Sequence, residues 1–273
     1  MEKIPHCKIC GKMYKENDTD FIQRLPENIR KKLLYIPDCD CYEKQKAADL
    51  ERLEKERLAI CCENKMKPFS EVSIIDHKFK NSTFENADLN AVPTRIAFRY
   101  AQNFIKKGTA PIGLFFYGDV GTGKTFSSSC IANELIRANK TVVVLSVGLY
   151  INKIFREGAA AENLILNRIK KCELLIIDDL GVEKPSEFIT EKIFSLIDTR
   201  YRAEKPVVIT TNLVLTDAEL KTKKDIENGA SIESRFGKRV ADRISEMCQR
   251  VAATGESRRS AKTRNKFKEF MGA

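Results

Sequence analysis

The run Gly118-Asp119-Val120-Gly121-Thr122-Gly123-Lys124-Thr125 matches G-x-x-x-x-G-K-[ST], and this pattern restricts what must precede and follow it. Before it, Gly113-Leu114-Phe115-Phe116-Tyr117 is a short apolar run that predicts a buried strand. After it, Phe126 to Arg137 carries Cys130, Ile131, Leu135 and Ile136 at helical spacing. Strand, glycine-rich loop and helix in this order form a phosphate cradle. The glycines let the backbone aim its N–H groups at phosphate oxygens, and the helix N-terminus adds positive potential. Lys124 is expected to reach the β- and γ-phosphates of ATP, and the Thr125 hydroxyl to enter a Mg²⁺ shell.

Leu174-Leu175-Ile176-Ile177-Asp178-Asp179 is a second apolar run, ending in two carboxylates. A buried strand there delivers Asp178 to the Mg²⁺ at the carboxyl end of a sheet and sets Asp179 to polarise the attacking water. Asp is one methylene shorter than the Glu often found at that position, so slow turnover is expected. A third run, Pro206-Val207-Val208-Ile209-Thr210-Thr211-Asn212, is a strand with a polar tip. In P-loop ATPases that insert a strand between these two, that tip senses the γ-phosphate. Asn212 is the first candidate and Thr211 the second.

The alternation of apolar runs with helical patterns from about 69 to 257 predicts a parallel sheet covered on both faces. Strands are expected at 113–117, 142–147, 174–178 and 207–211, with a weakly apolar fifth near 248–253. Helices are expected near 92–107, 124–138, 147–156, 159–171 and 186–203, and loops and helices forming a lid or interface at 216–247. Residues 42–67 read as a polar linker helix ended by Pro68-Phe69. The expected domains are a head (1–41), a linker (42–68), an ATPase domain (69–259) and a basic tail (260–273).

The head carries Cys7-x-x-Cys10 and Cys39-x-Cys41, two close pairs about thirty residues apart. Zinc takes four such ligands in a tetrahedron, and two knuckle-like pairs supply them. His6 is a substitute ligand, while Cys61 and Cys62 on the linker helix are less well placed. Nine cysteines, no run of 18 apolar residues and no apolar N-terminal segment point to a cytosolic chain with thiols and metal rather than disulfides. Basic residues outnumber acidic ones by 48 to 38, a net charge of +10 that attracts polyanions, nucleic acid first. Arg258, Arg259, Lys262, Arg264, Lys266 and Lys268 crowd the last twenty residues.

Taken in order, the cysteine head, the P-loop, Leu-Leu-Ile-Ile-Asp-Asp-Leu-Gly, Arg200-Tyr201-Arg202, Thr-Thr-Asn-Leu, Glu233-Ser234-Arg235-Phe236 and Asp242-Arg243 resemble the DnaC/DnaI-type replicative helicase loaders of the AAA+ ATPases. The same core resembles the IstB transposition helpers. The resemblance implies an ATP-dependent loader that binds a DnaB-type replicative helicase and single-stranded DNA and assembles with copies of itself when ATP is bound. A transposition-assisting ATPase is the alternative. Carried over by position, Arg243 matches the arginine that acts in trans on a neighbour's nucleotide, with Arg239 and Arg235 next in line. Gly255-Glu256-Ser257-Arg258-Arg259 matches the second sensor, with Arg259 ahead of Arg258 as the residue contacting phosphate in cis.

Overall fold

The structure is a computed structural model that describes residues 4–73, 81–184, 186–220, 222, 225, 228–255, 257, 270 and 271. The chain divides into two compact units, with the boundary after Glu63. In the first, β1 (Lys15–Glu16) pairs antiparallel with β2 (Tyr35–Ile36), and α1 (Asp20–Gln23) and α2 (Glu27–Leu33) lie between them in the chain. Cys7 and Ile22 are the only buried side chains among the described residues of this unit, so it has almost no apolar core.

Helix α3 (Cys41–Ser70) buries none of its residues, as its thin apolar content implies, and leaves Leu50, Leu53, Leu58 and Ile60 exposed. Its end corrects the sequence reading: the helix runs through Pro68 to Ser70 instead of stopping before it. Proline removes one donor to the carbonyl four residues back. That residue, Asn64, is exposed, so water can take the donor's place and the last turn survives.

The second unit contains α4 (Val92–Lys107), β3 (Gly113–Tyr117), α5 (Lys124–Arg137), β4 (Val142–Ser146), α6 (Val147–Lys171), β5 (Leu174–Asp178), α7 (Glu187–Arg202), β6 (Val207–Thr210), α8 (Ile232–Phe236), α9 (Lys238–Met247) and β7 (Cys248–Ala252). The two helices expected at 147–156 and 159–171 are the halves of α6, separated by non-helical backbone at Gly158. The strands form one parallel sheet in the order β4-β5-β6-β3-β7. The strand with the polar tip, β6, therefore lies between the strands that end in the P-loop and in Asp178.

Alternation along each strand feeds two cores. Leu114, Phe116, Val142, Val144, Leu174, Ile176 and Val208 pack on one face with Ala97 and Phe104 of α4 and Ile131 and Leu135 of α5. Phe115, Val143, Leu145, Leu175, Ile177, Val207 and Ile209 pack on the other with residues of α6, α7 and α9. Strands buried on both faces read as continuous apolar runs, which is why four of them were plain in the sequence. Among the described residues the fifth, β7, pairs only with β3 and exposes Gln249 and Arg250, so its run is weak because it is an edge.

Arg200 is fully buried, and among the described residues no carboxylate pairs with it. Its guanidinium donates to the carbonyls of Ile169 (2.8 Å), Cys172 (2.9 Å), Glu173 (2.9 Å) and Pro206 (2.7 Å). Those carbonyls belong to the C-terminal end of α6 and the approaches to β5 and β6. A helix C-terminus favours a cation, and the planar fork serves several acceptors at once. One side chain thus ties together the N-terminal ends of β5 and β6, at the end of the sheet opposite the P-loop.

Candidate functional site

The P-loop leaves β3 and enters α5 through three left-handed glycines, Gly118 (φ 125), Gly121 (φ 84) and Gly123 (φ 98). At Gly118 a Cβ would lie 2.6 Å from the Ala253 carbonyl, so the loop must pass close to the end of β7. The Lys124 ammonium donates to the carbonyls of Gly118 (2.8 Å) and Asp119 (2.6 Å), and the Thr122 hydroxyl to Asp119 (2.8 Å). Lys124 thus lies across the mouth of the loop, where phosphate oxygens can exchange with those carbonyls as acceptors.

Asp178 ends β5 beside this loop. Burial pushes its carboxyl up to about 6; hydrogen bonds from Thr210 and Thr125 and the charge of Lys124 pull down, while the neighbouring Asp179 pushes up. A carboxylate costly to keep charged, next to a hydroxyl and a lysine, suits a hard cation with oxygen ligands. Thr210 went unnoticed in the sequence, where Thr-Thr-Asn reads as turn chemistry. Its fully buried hydroxyl donates to Asp178 at 2.7 Å and accepts from the Asp179 N–H at 2.9 Å. Only the strand order, with β6 against β5, puts it there.

Asp179 stands at φ 55, a left-handed conformation for a residue with a side chain. Such a backbone costs on the order of 1–3 kcal/mol and persists where its surroundings hold it. Asn212 is exposed just past the tip of β6, between the loop strand and the Asp178 strand. Thr211, the second candidate for that tip, is fully buried with its hydroxyl donating to the Leu180 carbonyl at 2.6 Å, so it holds backbone and leaves the tip to Asn212.

A cavity of about 430 Å³ adjoins the loop, lined by Ala91, Val92, Pro93, Thr122, Ala252, Thr254 and Gly255. Its small, uncharged lining and its place beside the P-loop suit a nucleoside. Ala91-Val92-Pro93 carries no polar signal, and nothing in the sequence pointed to it.

Arg243 makes an ion pair with Asp198 of its own chain (2.6 Å) and lies over the rings of Phe194 (4.6 Å) and Tyr201 (5.2 Å). Arg239 also lies over Phe194 (5.2 Å) but is exposed. Arg235 donates to backbone carbonyls of its own chain. Arg258 and Arg259 lie outside the described residues.

In the first unit, the sulfurs of Cys7, Cys10, Cys39 and Cys41 all lie within 4.8 Å of one another. A zinc tetrahedron with bonds of about 2.3 Å separates its sulfurs by about 3.8 Å, so the set fits. Backbone N–H groups of Cys10 and Ile9 pull the Cys7 thiol down to about 6, while the Cys41 thiol is pushed up to about 12, chiefly by its hydrogen bond with Cys10. Four thiols sharing protons in this way become four thiolates only with a cation among them. His6 is not in the cluster, and Cys61 and Cys62 sit along α3.

Comparison with known proteins follows the same lines. DnaC, the replicative helicase loader of Escherichia coli (strain K12), is 27% identical over 169 residues, 60% of this chain and 63% of that protein. DnaI, the replicative helicase loader of Bacillus subtilis (strain 168), is 26% identical over 196 residues, 68% and 60% respectively. The chain thus matches under two thirds of the length of either relative. A crystal structure of DnaI superposes with a TM-score of 0.53 at 23% identity, covering 68% of this chain and 95% of that one, and the parallel five-stranded sheet with its helices is the AAA+ arrangement. No helix among the described residues is long and apolar enough to cross a membrane. The family described as IstB-like ATP binding protein matches residues 78–266, and the chain belongs to that family.

Proposed function

We propose that this protein is an ATP-dependent loader of a ring-shaped, DnaB-type replicative helicase and that it acts during initiation of DNA replication. The observation that carries the proposal is the convergence of Lys124, Thr125, Asp178 and Thr210 at one end of a parallel sheet in a chain related to two helicase loaders. ATP occupies the P-loop with its base in the cavity beside Val92, and Thr125 and Asp178 hold Mg²⁺. When bound, that ion would supply neutralising charge to the nucleotide's phosphates. Lys124 binds those phosphates, Asn212 contacts the terminal one, and Asp179 orients the attacking water. Arg259 contacts phosphate in cis.

Arg243 acts on the nucleotide of a neighbouring copy, leaving Asp198 when that neighbour's terminal phosphate offers a stronger anion. Hydrolysis is slow, and ATP works as a switch of assembly more than as fuel. The four cysteines hold zinc and give shape to a head that contacts the helicase, while basic residues hold single-stranded DNA through its phosphates.

The test is retention of purified replicative helicase by the tagged chain, with and without residues 1–67. The full chain is expected to retain it and the truncated chain to lose it, with the ATP site unimpaired. Failure of the full chain to retain helicase refutes the loader assignment and favours the other activity of this core, assistance to transposition.

A further inference from the structure

Taking the ATPase reading as its basis, we infer that Arg235 is a positioning residue of the ATP site, acting within its own chain to hold the turn after Asp178 and so to aim Asp179. The turn from Asp179 to Gly181 carries two left-handed residues, Asp179 (φ 55) and Gly181 (φ 93). Each tie on it is identifiable. The Asp179 N–H donates to the Thr210 hydroxyl (2.9 Å) and the Leu180 N–H to the Thr210 carbonyl (2.9 Å). The Leu180 carbonyl accepts from the Thr211 hydroxyl (2.6 Å). These three ties come from β6 and its tip. The Gly181 carbonyl, one residue further on, is bound by the Arg235 guanidinium from α8.

The same guanidinium nitrogen also reaches the Glu183 carbonyl (3.3 Å), and the Arg235 Nε donates to the Gly229 carbonyl (3.1 Å). Arg235 therefore ties two separate segments, 181–183 and 229, to its own helix. A rigid fork of several donors can do this, whereas a lysine ammonium, a point charge on a flexible stem, has no fixed fork to serve three carbonyls at once. There is no room for a side chain at Gly181: a Cβ there would lie 2.4 Å from Leu213 Cδ1 and 3.8 Å from Arg235 Cδ.

Two consequences follow. First, Arg235 places its donors on backbone carbonyls of two segments of its own chain, whereas Arg243 is held by one ion pair with Asp198 and two ring contacts. Second, α8 passes through Gly237 directly into α9, the helix that carries Arg243. One side chain thus connects the chain's own water-orienting turn to the helix that presents the trans arginine.

The experiment compares wild type, Arg235→Met and Arg235→Lys for ATP affinity, for turnover at saturating ATP, and for turnover after mixing with Lys124→Ala. Both variants are expected to bind ATP within about twofold of wild type. Turnover is expected to fall by about tenfold or more in Arg235→Met and by less in Arg235→Lys. Mixing with Lys124→Ala is expected to restore nothing, while Arg243→Ala mixed in the same way regains turnover. Should the methionine variant fail to fold, the lysine variant, which keeps the charge and an ammonium donor without the planar fork, carries the comparison. Wild-type turnover in the variants overturns the inference. So does rescue of an Arg235 variant by Lys124→Ala, which would make the arginine a trans group, and so does loss of affinity in step with turnover, which would reduce it to a fold-holding residue. A wild-type chain that binds ATP without hydrolysing it overturns the ATPase reading itself and takes this inference with it.

Discussion

Lys124→Ala is expected to lower ATP affinity by about a hundredfold or more and to leave no measurable turnover. Among the described residues Lys124 is the cation of the loop itself, and it carries charge-assisted bonds worth about 1.5–3 kcal/mol each. Losing two of them costs roughly 3–6 kcal/mol, at least two powers of ten in the dissociation constant. Without nucleotide the same group bonds the carbonyls of Gly118 and Asp119, so the variant also loses an internal tie of the loop. A thermal melt close to that of wild type separates lost phosphate contacts from a damaged fold. Asp179→Asn is the companion variant. It should keep ATP affinity and lose turnover by about a hundredfold or more, the usual scale for removing a group that handles the proton of the attacking water. Titration with a fluorescent ATP analogue and a phosphate-release assay read both. Wild-type affinity and turnover in Lys124→Ala would remove the site assignment altogether.

Removal of zinc is expected to have an effect as large, confined to the head. Among the described residues before Asn64 only Cys7 and Ile22 are buried, so no apolar core can hold this unit once the four thiols separate. Structural zinc sites in small peptides supply about 10–16 kcal/mol at neutral pH, well above what so small a unit lacks. Freshly purified, reduced protein should contain one zinc per chain by elemental analysis. Chelation should abolish amide-exchange protection at 4–41 and leave β3 to β7 protected, because the sheet of the second unit draws on its own apolar clusters. The double variant Cys39→Ser, Cys41→Ser should lose the metal. Zinc retained by that variant, or absent from the wild type, contradicts the assignment.

The sequence made legible those parts of the fold whose chemistry is local. Strands buried on both faces are continuous apolar runs, and the P-loop is a contiguous motif whose glycines are needed at fixed positions. The cysteine pairs declare themselves by spacing, and the structure gathers all four sulfurs. What stayed hidden depends on the order of strands or on contacts between distant segments. Thr210 is a strand-end threonine until β6 is set against β5, and Arg235 one arginine among several until its donors are seen on Gly181 and Gly229. Apart from Thr122 of the loop itself, the residues around the cavity beside the loop lie some 30 positions before or 130 after it, without a pattern to mark them. Pro68 misled because its effect depends on whether one carbonyl is open to water, as it is at the exposed Asn64. The family resemblance gave Arg243 a role, and the structure shows what restrains it in the single chain: Asp198 at 2.6 Å and two aromatic rings.

The most direct measurement of a loader is loading. A hexameric replicative helicase is supplied with a closed circle of single-stranded DNA bearing an annealed strand, and displacement of that strand is followed with and without this protein. A closed circle offers no end to thread, so unwinding reports a ring placed by another agent. The account predicts displacement that requires both the protein and ATP and is lost with Lys124→Ala and with a chain lacking residues 1–67. Displacement that proceeds equally without the protein, or undiminished with Lys124→Ala, contradicts it.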